Sequence, residues 1–255
     1  MGEGRCSTIP HVTTAFRTAL DERFPGSMPE ESFIEQTHAV LQPFGFAPDS
    51  TLALVGVCRD ELTHPTVVAL RRVWGPAFRL GSLAGMLYLG RTGMRAALNN
   101  APECPDGRKR FVAFVFSHIG IDANGVIGQC VRPRHSEASP ACGALIVLHR
   151  MLQAGAIADP DDPHDIELSL LRHRMERELA VSTDVDLAAL TLHARAAITE
   201  DMCELAGFLS ANAPCDIAVF SGVIVHGPGG EDFIAPGRAR LWNSAHIDGI
   251  DLDIG

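Results

Sequence analysis

The sequence predicts an α/β fold with a central, mostly parallel β-sheet flanked by helices, and three observations carry that prediction. Short, continuous apolar runs at 51–57, 111–116 and 216–225 have the unbroken hydrophobicity of strands covered on both faces. Segments of helical apolar spacing lie before, between and after them, the alternation that builds parallel sheets. No internal repeat, low-complexity tract or long linker interrupts the 255 residues. One α/β domain over 1–255 is therefore expected, with a helical N-terminal segment at about 11–45.

Taken in order, Val12, Ala15, Phe16, Ala19 and Leu20 recur at helical spacing, so 11–24 is expected to be helical up to the Pro25-Gly26 break. Pro29-Glu30-Glu31 opens a second helix running to about Leu41, with proline at its start. The run at 51–57, bounded by Asp49-Ser50 and Cys58-Arg59-Asp60, reads as a buried parallel strand. A helix over 65–74 follows, with Pro65 in its first turn, and then a stretch containing Gly75, Gly81, Gly85, Gly90 and Gly93. The strand at 111–116 is expected to end at Ser117-His118, and Asp122-Ala123-Asn124-Gly125 marks a turn between two short β segments. Residues 131–140, polar and with two prolines, read as a loop. A strongly apolar helix is expected over 144–154. The acidic stretch Asp159-Pro160-Asp161-Asp162-Pro163 separates it from helices over 165–179 and 185–209. The strand at 216–225 ends at His226-Gly227-Pro228-Gly229-Gly230.

Composition narrows the function classes. A net charge of -10 argues against a nucleic-acid binder, which needs a basic face to displace counterions. The short basic patches at Arg108-Lys109-Arg110 and around Arg132 and Arg134 read as solvated surface. No apolar run approaches the roughly 18 residues of a membrane span. The first residues lack the basic-then-apolar order of a secretory signal, so a cytoplasmic protein is expected. Seven cysteines at irregular spacing, with no Cys-x-x-Cys pair, do not make a disulfide framework or a zinc ribbon.

In open α/β sheets, sites form beyond the carboxyl ends of the strands. Two of the three apolar runs lead into metal-ligand residue types there, Cys58 and His118. Cys142 sits just before a helix, where partial positive charge favours a thiolate. One histidine and two cysteines form a three-ligand zinc set that leaves a fourth position for water. Asp60, two residues past Cys58, shares its side if the chain stays extended. Spacing alone leaves alternatives open. Cys130 competes with Cys142 as third ligand, each cysteine has a plain buried-thiol reading, and His226 reads as a turn residue or pocket wall. Cys6, Cys104, Cys203 and Cys215 look incidental, and the glycines at 81–93 form no phosphate-binding fingerprint.

Several short motifs add to this in their order along the chain: Cys58-Arg59-Asp60-Glu61, Gly90-Arg91-Thr92-Gly93, His118 with Asp122 four residues on, Ala141-Cys142-Gly143-Ala144-Leu145, and Ser221-Gly222 leading to His226-Gly227-Pro228. Together, from about Phe24 to Trp242, they resemble the limiting-CO2-inducible B/C family, a divergent branch of the β-carbonic anhydrases. The resemblance implies a β-carbonic-anhydrase-like fold, a homodimer, Zn2+ held by Cys58, His118 and Cys142, and a catalytic pair of Asp60 and Arg59. It also implies reversible hydration of CO2 to bicarbonate by a zinc-bound hydroxide. The low-aromatic, Ala-rich helices, with flat apolar faces suited to packing between subunits, point to the same homodimer. The chain departs from the ordinary β class, which has Cys-x-Asp-x-Arg and His-x-x-Cys. Position 62 is Leu, and Cys142 follows His118 by 24 positions. Arg59 lies opposite Cys58 and Asp60 on an ideal strand, so it reaches Asp60 only if the backbone turns at once, and Arg91 is the reserve partner. The same resemblance admits a catalytically silent, zinc-stabilised binding or assembly protein. A thiol hydrolase using Cys142 is disfavoured, because no Asp or Asn partner for a catalytic histidine is evident.

Overall fold

The computed structural model describes residues 12–156, 160–179 and 185–254. Residue 11 of the first expected helix, Cys6 and Asp159 lie outside them. The first helix, α1 (Thr14–Arg23), is capped by Thr13, whose side chain accepts from Phe16 N. The two-residue strand β1 (Met28–Pro29) leads into α2 (Glu30–Leu41), which starts directly after Pro29 with two glutamates in its first turn. Then come β2 (Thr51–Gly56), α3 (His64–Trp74), β3 (Ala77–Arg79), α4 (Gly90–Asn100) and β4 (Lys109–Gly120). The second half holds β5 (Gln129–Val131), β6 (Ala138–Pro140), α5 (Gly143–Gln153), α6 (Ile166–Glu178), α7 (Leu187–Asn212), β7 (Cys215–His226), β8 (Asp232–Asn243) and β9 (His246–Asp251).

The main sheet runs β1-β8-β7-β4-β2-β3, with β9 also on β8. The expected apolar runs form its parallel centre: β2 pairs with β3 and β4, and β4 with β7, all parallel. An antiparallel flank is added by β8, which pairs with β7 on one edge and with β1 and β9 on the other.

Helices cover both faces, which explains the lack of alternation in the central strands. Phe111, Ala113 and Val115 pack with Ile217, Val219 and residues of α4 to α7. Their neighbours Val112, Phe114 and Phe116 pack on the opposite side with Phe33, Leu70 and Trp74 of α2 and α3. The helix α1 closes the far end, its Phe16 and Leu20 against Ile119, Val223 and Val225. No helix among the described residues is long and apolar enough to cross a membrane.

Two expectations change. The strand expected to stop at Ser117-His118 continues to Gly120, so His118 is a strand residue. The segment read as a loop over 131–140 is a loop over 132–137 whose flanks pair as the short strands β5 and β6, with Val131 opposite Ala138. The Gly-rich stretch has two reasons for its glycines. At Gly81 a Cβ would lie 2.0 Å from Val57 O, and at Gly85 (φ 87°) a Cβ would lie 2.4 Å from Phe116 O. The chain there runs against the backbones of the two strand segments that lead to Cys58 and His118.

Candidate metal centre

The strand β2 delivers Cys58 two residues past its end, where the chain turns immediately. The Thr63 hydroxyl, buried below the turn, donates to Cys58 O at 2.9 Å or Asp60 O at 3.0 Å. The Asp60 carboxylate caps the turn by accepting from Leu62 N at 3.2 Å. His118 comes from β4, and Cys142 is the N-cap of α5. The segment entering α5 is tied to the end of β4: Gly120 N donates to Ala141 O at 3.1 Å, and Ala141 N to Gly128 O at 3.0 Å. Three elements distant in sequence thus converge.

The ligand atoms of Cys58, His118 and Cys142 all lie within 4.8 Å of one another. The three residues are 3%, 0% and 1% exposed. The two sulfurs are 3.7 Å apart, the separation that two thiolates take on a tetrahedral zinc with Zn–S of about 2.3 Å. His118 Nδ1 lies 3.0 Å from His226 Nε2, whereas His118 Nε2 is buried with no hydrogen-bond partner. A buried, unpartnered ring nitrogen beside two close sulfurs is costly for a protein alone and is satisfied by a cation. These residues fit a metal ion.

The sulfurs ionise as a pair. The Cys58 thiol is pulled well below the usual range because Cys142 donates to its thiolate; burial opposes this, and the adjoining His118 ring and the Asp60 amide add to it. Cys142 is pushed up because its proton is held by Cys58 and its site is dry. Cys130, the competing third ligand, stays outside the cluster. It packs with Leu62 and Ala141, and burial raises its thiol to about 11.

The expected Asp60–Arg59 pair is replaced. Asp60 takes two bonds from Arg132, Nη1 to Oδ1 at 2.8 Å and Nη2 to Oδ2 at 3.1 Å. Burial opposes ionisation of Asp60, but the Arg132 bonds, the nearby His118 and the Leu62 amide outweigh it and hold its pKa at about 2. Arg132 also meets Glu61, Ser139 Oγ and Pro140 O. Arg59, projecting from the other side of the chain, forms a two-pronged pair with Glu167 of α6, at 2.6 and 3.1 Å. The reserve candidate Arg91 lies over the Phe208 ring, 4.9 Å from its centroid. Of the basic patches read as solvated surface, Arg108 and Arg110 flank Asp216, whereas Arg134 is exposed as expected.

Sequence reasoning missed two members of the surroundings, Arg132 and Asp232. His226, read as a turn residue or wall, bonds His118 on one side and Asp232 Oδ1 on the other, the latter at 2.8 Å. Burial pushes its ring toward the neutral form. A cavity of about 350 Å3, lined by Leu62, Pro65, Cys130, Arg132 and His226, opens beside the centre.

Comparison with known proteins bears on this arrangement. Residues 27–243 match the family of limiting CO2-inducible proteins B/C, beta carbonic anhydrases. The chain belongs to that family. Among solved structures of the limiting CO2-inducible type, the protein LCIB superposes with a TM-score of 0.76 at 29% identity, over 92% of this chain and 98% of that one. Its homolog PtLCIB4 superposes with a TM-score of 0.80 at 22% identity, over 92% and 99%. No curated protein matches the sequence. The β-carbonic-anhydrase-like fold and the family expected from the motifs therefore hold, and Cys58, His118 and Cys142 converge on that fold.

Proposed function

We propose that the protein is a zinc-dependent carbonic anhydrase acting on CO2 and bicarbonate, with Cys58, His118 and Cys142 as metal ligands. The observation that carries this reading is the convergence of two sulfurs at tetrahedral spacing with the unpartnered His118 Nε2. A zinc ion bound there supplies the acidity that makes water a nucleophile near neutral pH. Arg132 keeps Asp60 ionised and fixes both its oxygens, so Asp60 orients water by accepting a proton-side hydrogen bond. Leu62, Cys130 and Ala141 supply an apolar wall suited to an uncharged linear substrate. Two subunits forming a homodimer, in the cytoplasm, complete the proposal.

A second reading, a catalytically silent zinc-stabilised binding or assembly protein, is favoured by one observation. Both Asp60 oxygens are already engaged, by Arg132 and by Leu62 N. Elemental analysis with stopped-flow CO2 hydration on the purified protein separates the two. About one zinc per chain with turnover supports the enzyme, zinc without turnover supports the silent protein, and absence of zinc overturns both.

A further inference from the structure

We infer that His226 and Asp232 are positioning residues that fix His118 as the Nδ1–H tautomer, leaving the Nε2 lone pair for the cation at Cys58 and Cys142. The inference rests on reading those three residues as a metal site.

The register of three strands builds the relay. In the parallel β4–β7 pair His118 stands opposite Ile224, so His226 lies two residues further along the neighbouring strand, on the same side of the sheet. In the antiparallel β7–β8 pair His226 stands directly opposite Asp232. Three residues from 118 to 232 in sequence thereby form one row across the sheet, continuing the side occupied by Phe116, Ile224 and Ile234. His118 and His226 are 0% and 4% exposed, so both rings are largely withdrawn from solvent.

The proton positions follow from donor and acceptor counting. The Asp232 carboxylate oxygen accepts, so His226 Nδ1, 2.8 Å away, carries the hydrogen. A neutral imidazole has one N–H, so His226 Nε2 is an acceptor. His118 Nδ1, 3.0 Å from it, must then donate, and the remaining nitrogen of His118 is a bare lone pair. That nitrogen is the buried one with no partner. Remove the relay and the other tautomer, with hydrogen on Nε2, becomes accessible; it has no lone pair to offer there. The carboxylate at the far end also makes the ligand ring more basic. Loss of such an outer partner typically weakens metal binding about 10- to 100-fold.

The test uses the whole chain, 15N-labelled at histidine, with zinc affinity read by chelator competition. Two-bond 1H–15N spectra of the metal-free wild type are expected to show hydrogen on Nδ1 of both His118 and His226. Hydrogen on Nε2 of either ring overturns the relay, whatever the variants do. His226→Leu is expected to bind zinc about 10- to 100-fold more weakly. His226→Gln, whose amide oxygen still accepts from His118 Nδ1, is expected to recover most of that loss, which a purely structural role does not predict. Affinity within about twofold of wild type in His226→Leu, while Cys58→Ser loses zinc, overturns the relay and leaves the metal site standing. A wild type that takes up no zinc overturns the metal site and the relay with it.

Discussion

Two buried polar clusters in this protein solve the same problem differently. On α6, Arg174 is surrounded by carboxylates: Nε bonds Asp201, Nη1 bonds Glu178, and Nη2 bonds Glu200 and Ala197 O. Every guanidinium nitrogen has a partner within the protein. At the strand ends, Cys58 and Cys142 have chiefly one another and the adjoining His118 ring, whose Nε2 makes no hydrogen bond of normal geometry. The first cluster is complete and joins α6 to α7. The second is a Cys-His-Cys cluster of metal-ligating groups that could hold a cation. The carboxylates around Arg174 reach the surface, Glu200 with 62% of its side chain exposed, whereas Cys58, His118 and Cys142 are all buried, so the two clusters differ in burial as well as in pairing.

That contrast is broken most severely at the three proposed ligands. Cys58→Ser, His118→Ala and Cys142→Ser are each expected to take zinc from about one per chain to near zero in elemental analysis, with CO2 hydration lost. Full zinc in all three refutes the assignment. Next in size is Asp60→Asn, which should keep zinc and lose about 100-fold or more in hydration by stopped flow. Arg132→Ala should copy that defect and Arg59→Ala should not; the reverse outcome would restore Arg59 as the partner. In the finished cluster, Arg174→Met should lower stability in urea by about 1–3 kcal/mol with zinc content unchanged. A loss of zinc there would mean the clusters are not independent. The smallest effect is expected from Arg59→Ala on stability, at most about 1 kcal/mol, because the Arg59 side chain is 64% exposed and its ion pair with Glu167 is screened.

Much of the centre was legible before any coordinates. Cys58 and His118 adjoin apolar runs with the pattern of buried strands, and Cys142 precedes a helix, but local pattern left Cys130 in competition with Cys142, and the family resemblance favoured Cys142. The partners were harder because register decides them. Arg132 lies in a segment whose prolines suggested a loop, and nothing local says that its hairpin folds over Asp60. Asp232 opens a strand, β8, that contains Pro236, Gly237, Arg238 and Arg240, a composition that reads as loop. It is held by long pairings with β7 and β9 rather than by its own propensity. The helix α4 was obscured in the same way, by Gly90, Gly93 and the terminal Asn99-Asn100, all poor helix formers.

The glycine at 81 has no chemistry of its own, yet its missing side chain lets the chain pass directly against the backbone that leads into Cys58. Its backbone lies so near Val57 that a single added methyl would overlap the carbonyl oxygen one residue before Cys58. An alanine there would act as a wedge, and the strand tip could yield only by carrying Cys58 with it. A saturation library sorted for metal retention should therefore show position 81 as intolerant as a ligand, a mutational footprint of the site cast by a residue that never touches it.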